Sequence, residues 1–355
     1  MNVLGIFRGL PGLGRVVGGM ALLELLNREF NATCFVYTYS QGIKYASKFS
    51  YSIYTVDNIE DVMTLGINPI SYSSEKIMKL IHEKSINLII IEGEPLITFH
   101  IKINCPQIIV ISLVNPLDIE NTANPLSTHN FLNCLLSKAD FTISHGLVKV
   151  NNNPYYKNLY QINTLLANSF IESKQGILNQ TKHNSISVIL GGGMEGGNGF
   201  TESNLNFLNT VIDLARLQKN FDFNVYGVSE LILKHYKTKI PSNVNFQFEV
   251  INHDELYKHE FVIARSGRNT TSELLFLNKP AILLTVENEH RKHEQLSNIT
   301  SAMNKSFVKY RHYKIGDDLH HQILREIQEI NSSQEDFQWF PGNYEIKEIL
   351  KQILY

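Results

Sequence analysis

Cysteine is scarce in this chain: three residues in 355, Cys34, Cys105 and Cys134. Their spacing suits no metal site, and an odd count argues against a disulfide framework, so a reducing cytoplasm is the expected compartment. A cationic surplus is also missing. Lys plus Arg is 32 against 34 Asp plus Glu, a formal net charge of -2, which argues against nucleic acid as the main partner. Long apolar runs are lacking too. Leu88–Ile91 and Ile108–Leu113 are strand-length, far below the roughly 20 residues of a spanning helix. The opening run Val3–Phe7 is broken by Arg8, Pro11 and Arg15 too early for a secretion-signal core. A soluble protein is expected, cytoplasmic, with peripheral contact at the inner membrane face still compatible. No short repeat or low-complexity tract appears.

What is present is 43% hydrophobic residues with 19% charged, the balance of a globular chain long enough for about two domains. The first half alternates short apolar strands with helical stretches. Val3–Phe7, Cys34–Tyr39, Tyr51–Val56, Asn87–Ile91, Gln107–Leu113, Phe141–Ser144 and Leu159–Ile162 read as strands. Arg15–Arg28, Ser74–Lys84 and residues 128–138 read as helices. Continuous apolar strands between helices predict a parallel, doubly wound sheet. The pattern fades after Val150 into Asn151, Asn152, Asn153 and Pro154, and residues 172–184 are polar. A second alternating set then begins at Ile186 and runs through strands to Ala281–Val286 and a helix over His293–Met303. The expected division is a domain over 1–165, a linker over 166–184 and a domain over 185–355, with a ligand cleft between the two. The terminal amphipathic helix, Glu345–Leu354, could pack back on the first domain.

Four segments can carry chemistry. Gly9 to Arg15, with Gly12 and Gly14, lies between the first strand and first helix, where backbone can approach a ligand. It is not a dinucleotide fingerprint, because no acidic residue ends the second strand. Gly191, Gly192, Gly193, Gly196 and Gly197 follow the strand Ile186–Leu190. Six glycines in nine residues (191–199) can aim several N–H groups at a phosphate, but the lysine of a P-loop is absent. Arg265, Ser266 and Gly267 end a buried strand, and a helix starting near Thr270 makes a second anion site. Glu273 falls early in that helix, where a carboxylate can accept two hydrogen bonds from a ribose diol; an ordinary charge at a helix start is the plainer reading. Last, His293, Glu294 and Gln295 enter a helix where polar groups can reach sugar hydroxyls. His290 and His293 lack a third ligand for a metal.

In this order the residues resemble the inverting GT-B glycosyltransferases, in particular the bacterial N-acetylglucosaminyltransferase of peptidoglycan synthesis and related predicted transferases. The elements that carry the likeness are Arg265-Ser266-Gly267, Glu273, Asn278-Lys279-Pro280 and Glu294-Gln295…Asn298. Gly12-Leu13-Gly14 and Glu92-Gly93-Glu94-Pro95-Leu96 resemble parts of the acceptor domain more loosely. The resemblance implies two Rossmann-like domains facing a cleft and transfer of a hexose or N-acetylhexosamine from a nucleotide diphosphate donor, UDP being the expected nucleotide. The acceptor would be a hydroxyl on a sugar, a lipid-linked or a small molecule, and no cofactor or metal is implied. The 191–197 loop, Arg265, Ser266 and Gly267 would hold phosphates, Glu273 the ribose, and His293, Glu294 and Gln295 the donor sugar. The uracil would lie near Val250 to His253.

One residue departs from the family. Its first loop usually ends in a histidine, where this chain has Arg15. An arginine stays protonated and cannot be a base; it could bind a donor phosphate or an acidic acceptor. The base is then expected at Glu92, Glu94 or Asp118, with His129 and His145 as weaker candidates. The alternatives are a nucleotide-sugar 2-epimerase and a non-catalytic GT-B protein that binds nucleotide sugar or a partner transferase.

Overall fold

The computed structural model describes residues 1–9, 12–56, 73–120, 125–151, 153–191, 200–228, 233, 240–247, 253–286, 292–303, 308–313, 319–330 and 338–355. The chain forms two compact units, Met1–Asn168 with Pro341–Tyr355, and Ser169–Phe340.

The first unit is built on seven parallel strands: β1 (Asn2–Phe7), β2 (Thr33–Tyr37), β3 (Ser52–Tyr54), β4 (Leu88–Glu92), β5 (Ile109–Val114), β6 (Phe141–His145) and β7 (Leu159–Ile162). Their order is β3-β2-β1-β4-β5-β6-β7. The chain leaves β1 in one direction and returns beside it at β4, so the switch in winding lies between the ends of β1 and β4. Ile89 and Ile91 from β4 pack with Leu4, Ile6, Ile77 and Ile97 in the core. Each such side chain contributes about 1.5–3 kcal/mol by leaving water. That is why these strands read as unbroken apolar runs rather than alternating ones. The helix Gly14–Phe30 covers the sheet next to β1 and β4.

The second unit repeats the plan with six parallel strands: β8 (Lys182–Ile189), β9 (Asp222–Tyr226), β10 (Val244–Gln247), β11 (His259–Arg265), β12 (Ala281–Val286) and β13 (Val308–Tyr313). The order is β10-β9-β8-β11-β12-β13. Its switch point lies between the ends of β8 and β11. Phe207 and Val211 of the helix Phe200–Leu217 and Ile323 of His320–Ile330 close one face of this sheet.

Three details differ from the sequence expectation. The proposed linker over 166–184 holds a helix, Asn168–Asn179, polar because it buries little beyond Phe170 and Ile177. The second domain does not run to 355, because Pro341–Tyr355 clusters with the first unit: as expected of the terminal helix, Asn343–Leu354 docks on residues 162–168 and on the first helix. The helix Pro95–Asn104 was hidden by its apolar character, and it starts on proline, whose fixed φ and missing N–H suit a first turn.

Candidate functional site

In the first unit, four charged side chains gather at the switch point. Arg8 follows the end of β1, β4 delivers Glu92, the turn after it delivers Glu94, and the helix start delivers Arg15. Gly93 between the two glutamates has φ +88, and a Cβ there would sit 2.5 Å from Arg15 Cδ and 2.8 Å from Arg8 Cβ. Only glycine lets both arginines lie over this turn.

The carboxylates have different partners. Glu92 Oε1 is 3.1 Å from His145 Nε2, and both side chains are fully buried. Asp118, from the short helix Pro116–Ile119, is committed to Arg15, with Oδ2 2.8 Å from Nη2. Glu94 Oε1 accepts from Tyr39 OH at 3.0 Å and from Arg8 Nε at 3.4 Å. Glu94 Oε2 is buried with no hydrogen-bond partner among the described residues. Burial pushes the Glu94 carboxyl up to about 7, against the downward pull of Arg8 and the Tyr39 hydrogen bond. Glu94 also stands at the N-cap of helix Pro95–Asn104 without its side chain capping it.

Arg15, Glu92, Glu94 and Asp118 come together at one sheet edge, with Gly12 and Gly14 at the helix start beside them. Arg15 faces a protein carboxylate at contact distance, whereas an external anion was the expectation. The short Pro116–Ile119 helix brings Asp118 in as its partner. His145 joins the cluster through Glu92; His129 does not, its ring nitrogen bonding the Ile119 carbonyl. Sequence reading missed Arg8 and Tyr39, because the contacts to Glu94 span 86 and 55 residues.

In the second unit, Arg265 is the last residue of β11, and Gly267 precedes the helix Arg268–Leu277. The helix thus begins two residues before the expected Thr270, and Glu273 lies in its second turn. The expected anion donors are also differently used. Ser266 N–H donates to Leu284 O at 3.3 Å and Gly267 N–H to Arg265 O at 2.8 Å. An anion here would be met by the first turn of the helix instead. The Ser266 hydroxyl contacts Thr285 Oγ1 at 3.1 Å and donates to Gln295 O at 3.2 Å, while Asn298 Nδ2 donates to Ser266 O at 2.9 Å. This network locks β11, β12 and the helix Lys292–Met303 together. Gln295 is buried, Glu294 half-buried and His293 exposed.

Glu273 is 3% exposed. Its Oε2 accepts from the wholly buried Tyr257 OH at 2.5 Å. Oε1 lies 3.2 Å from His253 Nδ1 in an ion-pair contact, and neither atom has a hydrogen-bond partner among the described residues. Burial and the adjacent carboxylate hold the Tyr257 hydroxyl in its neutral form. Phe170 packs against the rings of His253, Tyr257 and Phe276. Tyr257 was not anticipated; an aromatic four residues after His253 on one short helix was its available signal. Gly191, with φ +113, is described at the end of β8. Gly192, Gly193, Gly196, Gly197 and Val250 lie outside the described residues.

Among the described residues, no group of three His, Cys, Asp or Glu could hold a metal ion, and no helix is long and apolar enough to cross a membrane. No protein-family model matches the sequence, nor does any curated protein. Solved structures do match over nearly the whole chain. The UDP-GlcNAc 2-epimerase of Neisseria meningitidis bound to UDP-GlcNAc has a TM-score of 0.68 at 13% identity, covering 99% of this chain and 100% of that one. MurG of Acinetobacter baumannii gives 0.55 at 14%, covering 99% of each. Arabidopsis thaliana UGT89C1 complexed with UDP gives 0.64 at 11%, covering 100% of each. At such identities the likeness is one of fold. The chain has the GT-B fold, two Rossmann-like domains in succession.

Proposed function

We propose that this protein is an enzyme acting on a nucleotide sugar, UDP-linked, and that it transfers the sugar to an acceptor hydroxyl with inversion, Glu94 serving as the base. The observation that carries the reading is the state of Glu94. Burial pushes its carboxyl up to about 7, and its Oε2 has no hydrogen-bond partner among the described residues, while Glu92 faces His145 and Asp118 faces Arg15. A base poised near the working pH is what proton abstraction from a hydroxyl favours.

The steps follow from ordinary transfer chemistry. Glu94 takes the acceptor proton as the acceptor oxygen attacks the anomeric carbon. The bond to the diphosphate breaks on the opposite face, which inverts the centre. Charge on the departing diphosphate is met by the start of helix Arg268–Leu277 and the glycine-rich segment from Gly191. Glu273 offers Oε1 to the ribose diol, and Gln295 and Glu294 lie at the helix start assigned to the donor sugar. The acceptor is a sugar, lipid-linked or small molecule, and the protein works in the cytoplasm. No step requires a metal, so activity should survive a chelator; a strict need for Mg²⁺ or Mn²⁺ would contradict this.

A second reading has its own support. Two carboxyl groups flank Gly93, and acid–base work on both faces of a sugar carbon is what a 2-epimerase needs; the Neisseria neighbour is such an enzyme. The test is a screen of UDP-, dTDP- and GDP-sugars by thermal shift, followed by product analysis. Release of UDP only with an acceptor supports transfer. An isomerised sugar still attached to UDP supports epimerisation, and no shift with any donor overturns both.

A further inference from the structure

The C-terminal helix does more than pack. Asn343, its first residue, is buried, and its side chain grips residues 166–168 from both sides. Leu166 N–H donates to Asn343 Oδ1 at 2.9 Å, and Asn343 Nδ2 donates to Leu166 O at 2.8 Å and to Asn168 Oδ1 at 2.9 Å. Gly342 N–H adds a bond to Thr164 O at 3.0 Å. The neighbouring Leu165 N–H points to His145 Nδ1 at 3.4 Å. A ring nitrogen that accepts from a backbone N–H carries no proton, so in the neutral ring the proton is on Nε2, the atom 3.1 Å from Glu92 Oε1. Space for this pair is reserved by Gly18 of the first helix, where a Cβ would lie 2.7 Å from His145 Cε1 and 3.1 Å from Glu92 Oε2.

We infer that Asn343, almost 200 residues away in sequence, is a positioning residue for the His145–Glu92 pair: by fixing the backbone at Leu166 it sets the Leu165 N–H against His145 Nδ1 and so makes Nε2 the donor to Glu92. The chain leaves the first unit after Asn168 and returns at Pro341, so both crossings are tied through this one amide to the cluster that holds Glu94. Only the activity arm of the test rests on the proposed transfer reaction.

The test uses the full chain with ¹⁵N-labelled histidine, His145 being assigned with a His145→Gln variant. In the wild type, His145 should show a protonated Nε2 and a bare Nδ1. Asn343→Ala, and Asn343→Asp as a same-size variant that keeps the acceptor but loses both donations, should shift His145 toward the other tautomer or a mixture. Lys347→Ala, which removes only a surface ion pair with Glu29, should leave the ring unchanged. UDP release should fall about tenfold in the Asn343 variants with the KM for donor little changed, the scale on which loss of an orienting partner is felt. A wild-type His145 protonated on Nδ1 overturns the inference whatever the variants do. So does an unaltered His145 spectrum in folded Asn343→Asp. If the wild type turns over no nucleotide sugar, the proposed function fails while the spectra still decide this point.

Discussion

The two switch points occupy the same place in two copies of one topology and are equipped in opposite ways. In the first unit, β4 ends in Glu92, a glycine turn follows, and Glu94 stands at the start of a helix. In the second, β11 ends in Arg265, Ser266 and Gly267 make the turn, and the helix Arg268–Leu277 follows. The first edge gathers carboxylates, two arginines and a histidine. The second locks its turn with neutral hydroxyl and amide groups and keeps its carboxylate, Glu273, under Tyr257. Topology decides where a ligand can approach; side chains decide whether the place moves protons or holds a ligand in position. On the function proposed above, the first edge serves proton transfer and the second serves binding.

The contrast can be sharpened first through stability. Because burial raises the Glu94 carboxyl from its ordinary value to about 7, the folded state binds this proton more tightly than the unfolded chain does. Its contribution is full below about pH 4.5 and is lost as pH rises through 7. Wild type should lose up to about 3 kcal/mol from this group across that window. Glu94→Gln should remove most of that slope in denaturant titrations at several pH values. Glu273→Gln should leave it in place; a Glu94→Gln profile as steep as wild type would end the claim that Glu94 titrates near neutrality.

A somewhat smaller effect is expected at the second edge. Glu273→Ala should weaken UDP binding by about 1.5–3 kcal/mol, the range for hydrogen bonds to a charged group. Calorimetry showing unchanged affinity would remove the ribose role. Smaller again is Ser266→Ala, which deletes one hydroxyl from a buried network and should cost about 1 kcal/mol of stability in a thermal or urea melt. A loss of several kcal/mol would mean that the turn depends on Ser266 far more than its two side-chain contacts explain.

Much of the fold was legible in the chain because buried parallel strands must be apolar throughout, as Leu88–Ile91 and Phe261–Ala264 are. The linker was misread for the converse reason: the helix Asn168–Asn179 has few apolar anchors, so its sequence resembles a loop. β13, Val-Lys-Tyr-Arg-His-Tyr, escaped because an edge strand carries charge. Glu92, Glu94 and Glu273 were visible as residues at strand ends and helix starts. Their pairings were not. His145, Tyr39 and Arg8 lie 53 to 86 residues away from the carboxylates they meet, and no local pattern encodes such pairings. The role of Arg15 is a case in point, since its partner Asp118 arrives on a four-residue helix more than 100 positions later.

The central claim is that the first edge supplies the base and the second the nucleotide site. The most direct test measures UDP affinity and acceptor-dependent UDP release for Glu94→Gln and Glu273→Ala side by side. The account predicts a crossed pattern. Glu94→Gln should bind UDP like wild type yet lose about 10²-fold or more in turnover, while Glu273→Ala loses affinity and recovers much of its turnover at saturating donor. Full turnover in Glu94→Gln would contradict it.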